Sequence, residues 1–147
     1  MKKRKVSRRL QRLVNQRAHS CCEYCISQEA YSPDPFSTEH IFPEILGGSS
    51  AEDNLACACQ GCNNFKHIKT TALDPITLQE VPLFHPRRDV WHEHFAWSRD
   101  LTELVGLTPT GRATIAELRL NRENVVNLRR VLILAEKQPP AHRSSKE

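Results

Sequence analysis

The spacing of apolar and polar residues predicts short helices and strands in the first half of the chain. Between Ser7 and His19, apolar residues recur every three or four positions, as in an amphipathic helix with Ser7 as its N-cap. The apolar face comprises Leu10, Leu13, Val14 and Ala18. Segments 39–42 and 55–58 have the composition of short strands joined by a turn-rich loop, and 63–69 predicts a short helix. The order is therefore strand, loop, strand, helix.

The second half predicts a hairpin and two more helices. Trp91 and Phe95 are spaced as helix neighbours, and segments 95–98 and 103–107 predict a hairpin that turns at 99–102. Helices are predicted for 110–120 and 122–137, with Pro139-Pro140 ending the second. We therefore expect an α+β chain in three parts. These are 1–72, a basic helix and the core; 73–138, an extension packed on that core; and 139–147, a disordered tail.

The charges are distributed unevenly along the chain. Residues 1–20 hold eight Lys or Arg and no Asp or Glu, whereas the rest holds 13 basic and 17 acidic residues. The basic residues of this N-terminal arm are Lys2, Lys3, Arg4, Lys5, Arg8, Arg9, Arg12 and Arg17. Such an arm can replace counterions on phosphates, so it favours a nucleic-acid partner. The alternative is a solvated terminus that aids solubility.

The composition favours a reducing, cytoplasmic location and gives no reason to expect a membrane partner. No apolar run approaches the 18 or more residues that span a bilayer, and the basic N-terminus lacks the apolar segment of a secretory signal. In such a compartment, paired cysteines are more typical of metal binding than of disulfides.

Four of the six cysteines form two C-x-x-C pairs. Cys22 with Cys25 and Cys59 with Cys62 supply the four ligands that structural zinc requires. The pairs lie far enough apart to enclose the predicted hairpin. Two cysteines are left over: Cys21 has the wrong spacing to Cys25, and Cys57 is expected to be a small core residue.

The enclosed hairpin carries residues suited to phosphodiester hydrolysis. Glu39 and His40 are adjacent on a predicted strand, so their side chains point to opposite sides of the backbone and can take different tasks. An imidazole is suited to activating water, and a divalent cation to neutralising the phosphate. Asn63 and His67, one helical turn apart, could complete a metal site.

The ordered set of motifs resembles the zinc-knuckle HNH endonucleases of the ββα-metal class, also called the His-Me finger family. The shared elements are the two C-x-x-C pairs, Glu39-His40, Gly47-Gly48, Asp53-Asn54-Leu55, Asn63 after the second pair, and Lys66. The resemblance covers residues 8–70. Residues 73–131 additionally resemble the C-terminal part of small cyanobacterial HNH proteins. The resemblance over residues 8–70 implies a small zinc-stapled ββα-metal core with metal-dependent cleavage of DNA.

The resemblance also implies roles for individual residues. His40 would be the general base, Glu39 and Asn63 would bind catalytic Mg²⁺ or a similar ion, and Asn54 would brace the hairpin loop and orient the imidazole. His67 is a weaker candidate ligand. The expected nucleic acid is double-stranded DNA. The candidate contacts to it are Arg8, Arg9, Arg12, Lys66 and Lys69.

Several alternatives stay open at this point. Asn54 could cap a turn and Asn63 could cap its helix. Arg129-Arg130 is expected to be a solvated pair. The chain as a whole could be a catalytically silent, zinc-dependent nucleic-acid-binding module, or a metal-stabilised module that binds a protein partner.

Overall fold

The computed structural model of the protein describes residues 6–144. It is an α+β fold of helices and small antiparallel sheets. The helices are α1 (Arg8–Arg17), α2 (Gln60–Lys66), α3 (Trp91–His94), α4 (Pro109–Leu118) and α5 (Glu123–Leu134). The strands are β1 (Ser37–His40), β2 (Leu55–Ala58), β3 (Thr71–Leu73), β4 (Glu80–Pro82), β5 (Phe95–Trp97) and β6 (Leu104–Gly106).

Helix α1 forms as the sequence predicts and covers one side of the first hairpin. The hydroxyl of Ser7 caps it by accepting a hydrogen bond from the Leu10 amide at 3.2 Å. Its buried residues Val14 and Ala18 pack with Leu55 and Cys57 of β2. Leu13, which the periodicity placed on the apolar face, is instead exposed. Arg8, Arg9 and Arg12 are exposed, whereas Arg17 donates to the carbonyls of Glu52 and Leu55.

The first hairpin and the helix after it make the predicted ββα unit. β1 pairs antiparallel with β2, with His40 opposite Leu55 and Glu39 opposite Ala56. The predicted strand at 39–42 begins and ends earlier, because after Ile41 bonds to the Asn54 carbonyl the chain turns into the loop. β2 is buried along its whole length. Cys59 then caps α2, which packs on β1.

The C-terminal half packs directly on this unit. Its β5–β6 hairpin and both longer helices lie where the sequence predicts them, whereas the β3–β4 hairpin was not predicted. The buried carboxylate of Asp74 ties that hairpin to α4 by accepting two hydrogen bonds from Arg112, at 2.9 and 2.8 Å. One continuous core joins the two halves, with Tyr24, Cys62, Phe95, Leu118 and Val125 among its buried members.

Residues 139–144 are the described part of the segment expected to be a disordered tail. Residues Ala141–Arg143 form a 3-10 turn, and the Arg143 carbonyl accepts a hydrogen bond from the Trp97 indole at 2.8 Å. The Arg143 guanidinium lies over the Trp91 ring. Residues 145–147 lie outside the described residues. Within residues 6–144, no helix is long and apolar enough to cross a membrane.

Candidate functional site

Four buried cysteines come together at the start of α2. The sulfurs of Cys22, Cys25, Cys59 and Cys62 all lie within 4.8 Å of one another, and those of Cys25 and Cys59 are 3.7 Å apart. Zn–S bonds of about 2.3 Å place the sulfurs of a tetrahedral site about 3.8 Å apart. The four-cysteine cluster therefore has the donors and the spacing that zinc requires.

The chemistry of the cluster also calls for an ion. Burial raises the pKa of the Cys22 thiol, and a bound dication would favour the thiolate form that zinc ligation requires. Cys21 and Cys57 are buried but outside the cluster, as expected from their spacing. The Cys21 thiol donates to the His19 carbonyl instead, and Cys57 packs under α1.

His40 lies at the end of β1 and faces a groove of about 820 Å³ between β1 and α2. We call it the His40 groove; it is lined by Thr38, Glu39, His40, Pro43, Glu44, Ile45, Asn63, Asn64, His67 and Ile68. The Nε2 atom of His40 is 2.9 Å from the Ser50 hydroxyl. Among residues 6–144 its Nδ1 atom has no protein partner. If Nε2 donates its proton to Ser50, Nδ1 keeps the lone pair of a base.

Asn54 holds the loop that supplies Ser50. Its carboxamide accepts from the Phe42 amide at 2.8 Å and donates to the carbonyls of Phe42 and Ser49. This amide therefore fastens both ends of the loop together next to the residue that contacts His40. These contacts match the bracing of a loop more closely than the capping of a single turn.

Helix α2 contributes Asn63 and His67 to the opposite wall of the His40 groove. Cys59, not Asn63, is the N-cap of the helix, so the Asn63 carboxamide is not used as a cap. That carboxamide has no hydrogen-bond partner among residues 6–144. His67 ends the helix with φ 50° and ψ −121°, a conformation that favours glycine.

Glu39 points away from His40, as the strand alternation predicts, and into the interior. Its carboxylate accepts a hydrogen bond from the Tyr24 hydroxyl and lies 3.5 Å from the Lys66 ammonium. Burial raises the pKa of Glu39, while the Lys66 charge opposes that rise. Lys66 also donates to the Ile41 carbonyl at 2.8 Å. Both carboxylate oxygens are thus occupied within the protein.

Only some of the predicted nucleic-acid contacts lie where a phosphate could reach them. Arg8 and Arg12, one turn apart on α1, line a second groove of about 740 Å³ against β1. Arg9 is exposed on α1 but lies outside this groove. Lys66 is 1 % exposed and serves the buried pair with Glu39, and Lys69 is paired with Glu117 of α4. Lys66 is therefore not an exposed cation that could contact a phosphate, contrary to the prediction.

Three residues of the site were not predicted. Ser50 lay in a Gly-Ser turn with no chemical signal, and Tyr24 lay inside the first C-x-x-C pair. Arg122, from the start of α5, reaches the sulfurs of Cys59 and Cys62 at 3.5 Å each. Nothing in the local sequence around Arg122 indicates a partner 60 residues earlier.

The fold and the site define a ββα hairpin-and-helix unit with a four-cysteine metal cluster at one end and a histidine groove beside it. Residues 22–73 match a family model described as HNH endonuclease. The matched segment covers about a third of the chain. It contains both cysteine pairs, His40, Asn54 and Asn63. No curated protein and no solved structure matches the chain at a significant level.

Proposed function

We propose that this protein is a metal-dependent endonuclease that hydrolyses phosphodiester bonds of DNA in the His40 groove. The observation that carries the proposal is the state of His40: one ring nitrogen is held by Ser50, and the other has no protein partner among residues 6–144. His40 lies opposite Asn63 and His67, within the segment that matches the HNH endonuclease family model.

In the proposed reaction, Nδ1 of His40 takes a proton from a water molecule as the water oxygen attacks the phosphorus. The new O–P bond forms while the bond from phosphorus to one sugar oxygen breaks, and that oxygen is protonated as it leaves. Ser50 keeps the ring in the required tautomer and orientation by accepting from Nε2. Asn54 keeps Ser50 in place by holding the adjacent Ser49 carbonyl at 2.7 Å.

A divalent ion such as Mg²⁺ would neutralise the phosphate and the leaving oxygen. Among residues 6–144, no second group of three His, Cys, Asp or Glu side chains is placed to hold an ion. Mg²⁺ usually takes few protein ligands and completes its shell with water and substrate phosphate. We assign Asn63 and His67 as the ligands that face it, and Glu39 as a support behind them.

The DNA backbone would leave the His40 groove along α1. Thr38 lines both grooves, so the groove of Arg8 and Arg12 lies next to the one that holds His40. Its lining, within the described part of the chain, contains no Asp or Glu. Neither guanidinium has an ion-pair partner among residues 6–144. Both charges are therefore free to meet phosphates.

The function is tested by incubating the zinc-loaded protein with supercoiled plasmid and Mg²⁺, Mn²⁺ or EDTA. We expect relaxed or linear DNA with a divalent ion and none with EDTA. Zinc-loaded protein that binds the plasmid but never cuts it with either ion would overturn the proposal and favour the binding module.

The double variant Arg8→Gln, Arg12→Gln should weaken DNA binding through the backbone. Each lost phosphate contact reduces the slope of log affinity against log salt by about 1, so we expect a drop of about 2. The effect should appear in KM rather than kcat. Fluorescence anisotropy on a labelled duplex over a salt series measures the slope.

The matched control is Arg119→Gln, Arg130→Gln, which removes the same charge from two exposed positions in the C-terminal half. An equal drop in both double variants would show that net charge, not the α1 groove, determines binding.

Replacing Glu39 by Gln tests the assignment of this residue as a support. It leaves the Lys66 ammonium buried without its counter-charge, so the free energy of unfolding should fall by about 3–5 kcal/mol. The double variant Glu39→Gln, Lys66→Met removes both charges and should recover part of that loss. Denaturant unfolding measures both.

The Mg²⁺ concentration for half-maximal nicking should stay near the wild-type value in the double variant. A rise of tenfold or more at unchanged stability would instead make Glu39 a ligand, as the family resemblance implies.

A further inference from the structure

Arg122 occupies an unusual position at the four-cysteine cluster. It is the N-cap residue of α5, and its guanidinium reaches across to the other half of the protein. Nη1 lies 3.5 Å from the Cys62 sulfur and Nη2 lies 3.5 Å from the Cys59 sulfur. The planar fork of an arginine is suited to this two-point contact, in which each N–H meets a separate anionic acceptor.

The surroundings of Arg122 hold the fork in place. Nη1 also donates to the Arg119 carbonyl at 3.2 Å, at the end of α4, and the guanidinium lies 5.5 Å from the centre of the Phe65 ring. A side chain on Gly61, between the two cysteines, would place its Cβ 2.5 Å from Nη2. The knuckle therefore carries glycine where the arginine needs room.

The cluster needs positive charge from its surroundings. Four thiolates around one dication leave an excess of negative charge in a buried position, and burying uncompensated charge is costly. No carboxylate among residues 6–144 forms an ion pair with Arg122. Its charge is thus directed to the sulfurs rather than shared with an acid.

A second arginine of α5 supports the same surface. Arg129 is 3 % exposed and donates to the Cys25 carbonyl at 3.0 Å, as well as to carbonyls of Thr102 and Leu120. It holds the first C-x-x-C turn by its backbone while Arg122 holds the second by its sulfurs. Helix α5 therefore contacts both cysteine pairs.

We propose that Arg122 clamps the thiolates of Cys59 and Cys62, retains the metal ion in the four-cysteine cluster, and thereby positions α2. Cys59 caps α2 and Cys62 lies within it, so a clamp on both sulfurs fixes the helix that carries Asn63 and His67. Retention of the ion is independent of the nuclease proposal. The second part of the inference, that the clamp aligns Asn63 with His40, rests on the nuclease proposal.

The test compares metal release from the zinc-loaded full-length protein after addition of a chromophoric chelator. Arg122→Gln should lose zinc roughly 10–100-fold faster than wild type, the range for lost partners of metal ligands. Arg122→Lys keeps the charge but not the planar fork, so its rate of zinc release should lie between those of wild type and Arg122→Gln. Gly61→Ala displaces the guanidinium without removing its charge and should also speed release.

Arg119→Gln is the matched control. Arg119 lies over the same Phe65 ring, at 4.8 Å, but contacts no sulfur. The rate of zinc release from Arg119→Gln should therefore equal that of wild type. Equal rates for Arg122→Gln and Arg119→Gln would overturn the clamp. If Arg122→Gln does not fold, wild-type release rates in both Arg122→Lys and Gly61→Ala would do the same.

The nuclease arm of the experiment uses only protein that still holds zinc. Arg122→Lys should then lower kcat for plasmid nicking more than it raises KM, because α2 shifts while the α1 groove is unchanged. An unchanged kcat with faster zinc release would limit the clamp to metal retention. Faster zinc release with no cleavage by any variant would leave the clamp standing and overturn the nuclease.

Discussion

Replacing His40 with Ala should slow plasmid nicking by a factor of at least about 100, and up to about 10,000, the usual contribution of a general base. The expected loss is large because His40 is the group in the groove with a free basic nitrogen and a fixed partner on its other side. Zinc content should not change, since His40 is not part of the four-cysteine cluster. Gel quantification of relaxed plasmid, with zinc measured on the same preparation, gives both numbers.

Ser50→Ala is the matched control for this prediction. It keeps the imidazole but removes the hydroxyl that lies 2.9 Å from Nε2, so the rate should fall by less than in His40→Ala. Full activity in His40→Ala would exclude His40 as the base and leave the family's chemistry to another residue of the groove.

The parts of the site that the sequence predicted are those set by short-range spacing. Two cysteines separated by two residues must turn toward one ion, and adjacent residues on a strand must point to opposite sides. For these reasons the metal cluster and the separation of Glu39 from His40 are present as expected. The N-cap of α1 was equally local, since Ser7 and Leu10 are three residues apart.

The spacing could not show which side of β1 is the interior. Both Glu39 and His40 are polar, and the choice depends on Tyr24 and Lys66, which reach Glu39 from two other segments. The same limit explains Lys66, which looked like a surface cation but lies on the buried side of α2. Tertiary packing, not helix periodicity, decides whether such a polar side chain faces the interior or the solvent.

The role of the C-terminal half was the least predictable part. Arg129 sits among apolar residues on the buried face of α5, where a sequence reading assigns a solvated charge. Its acceptors are the carbonyls of Cys25, Thr102 and Leu120 and the side-chain oxygen of Asn121, and no local pattern encodes the two distant ones. The shared core joins the C-terminal half to the first half, because cysteines of the first half belong to the same buried cluster as Leu118 and Val125 of the second.

Loss of the structural metal should unfold the protein rather than merely inactivate it. Apparent binding free energies of structural zinc are about 10–16 kcal/mol, as large as the whole stability of a typical domain. Here the cluster lies inside the core that joins both halves. We therefore expect Cys22→Ser to lack zinc and to show no cooperative thermal transition, and wild type to lose its transition after prolonged treatment with a strong chelator.

Cys21→Ser is the control that makes this prediction specific. Cys21 and Cys22 are neighbours in sequence, both are buried, and both replacements exchange a sulfur for an oxygen. Cys21 donates to a carbonyl outside the cluster, a bond that a serine hydroxyl can also make, so this variant should keep its zinc and most of its thermal stability.

If both variants kept zinc, the cluster would tolerate three ligands. If only Cys21→Ser lost zinc, the ligand would be Cys21, and the first pair would have to turn differently from the geometry seen here. If Cys22→Ser alone loses the ion and the cooperative transition, the metal is an internal part of the core, and α2 with Asn63 and His67 can face His40 only in the loaded protein.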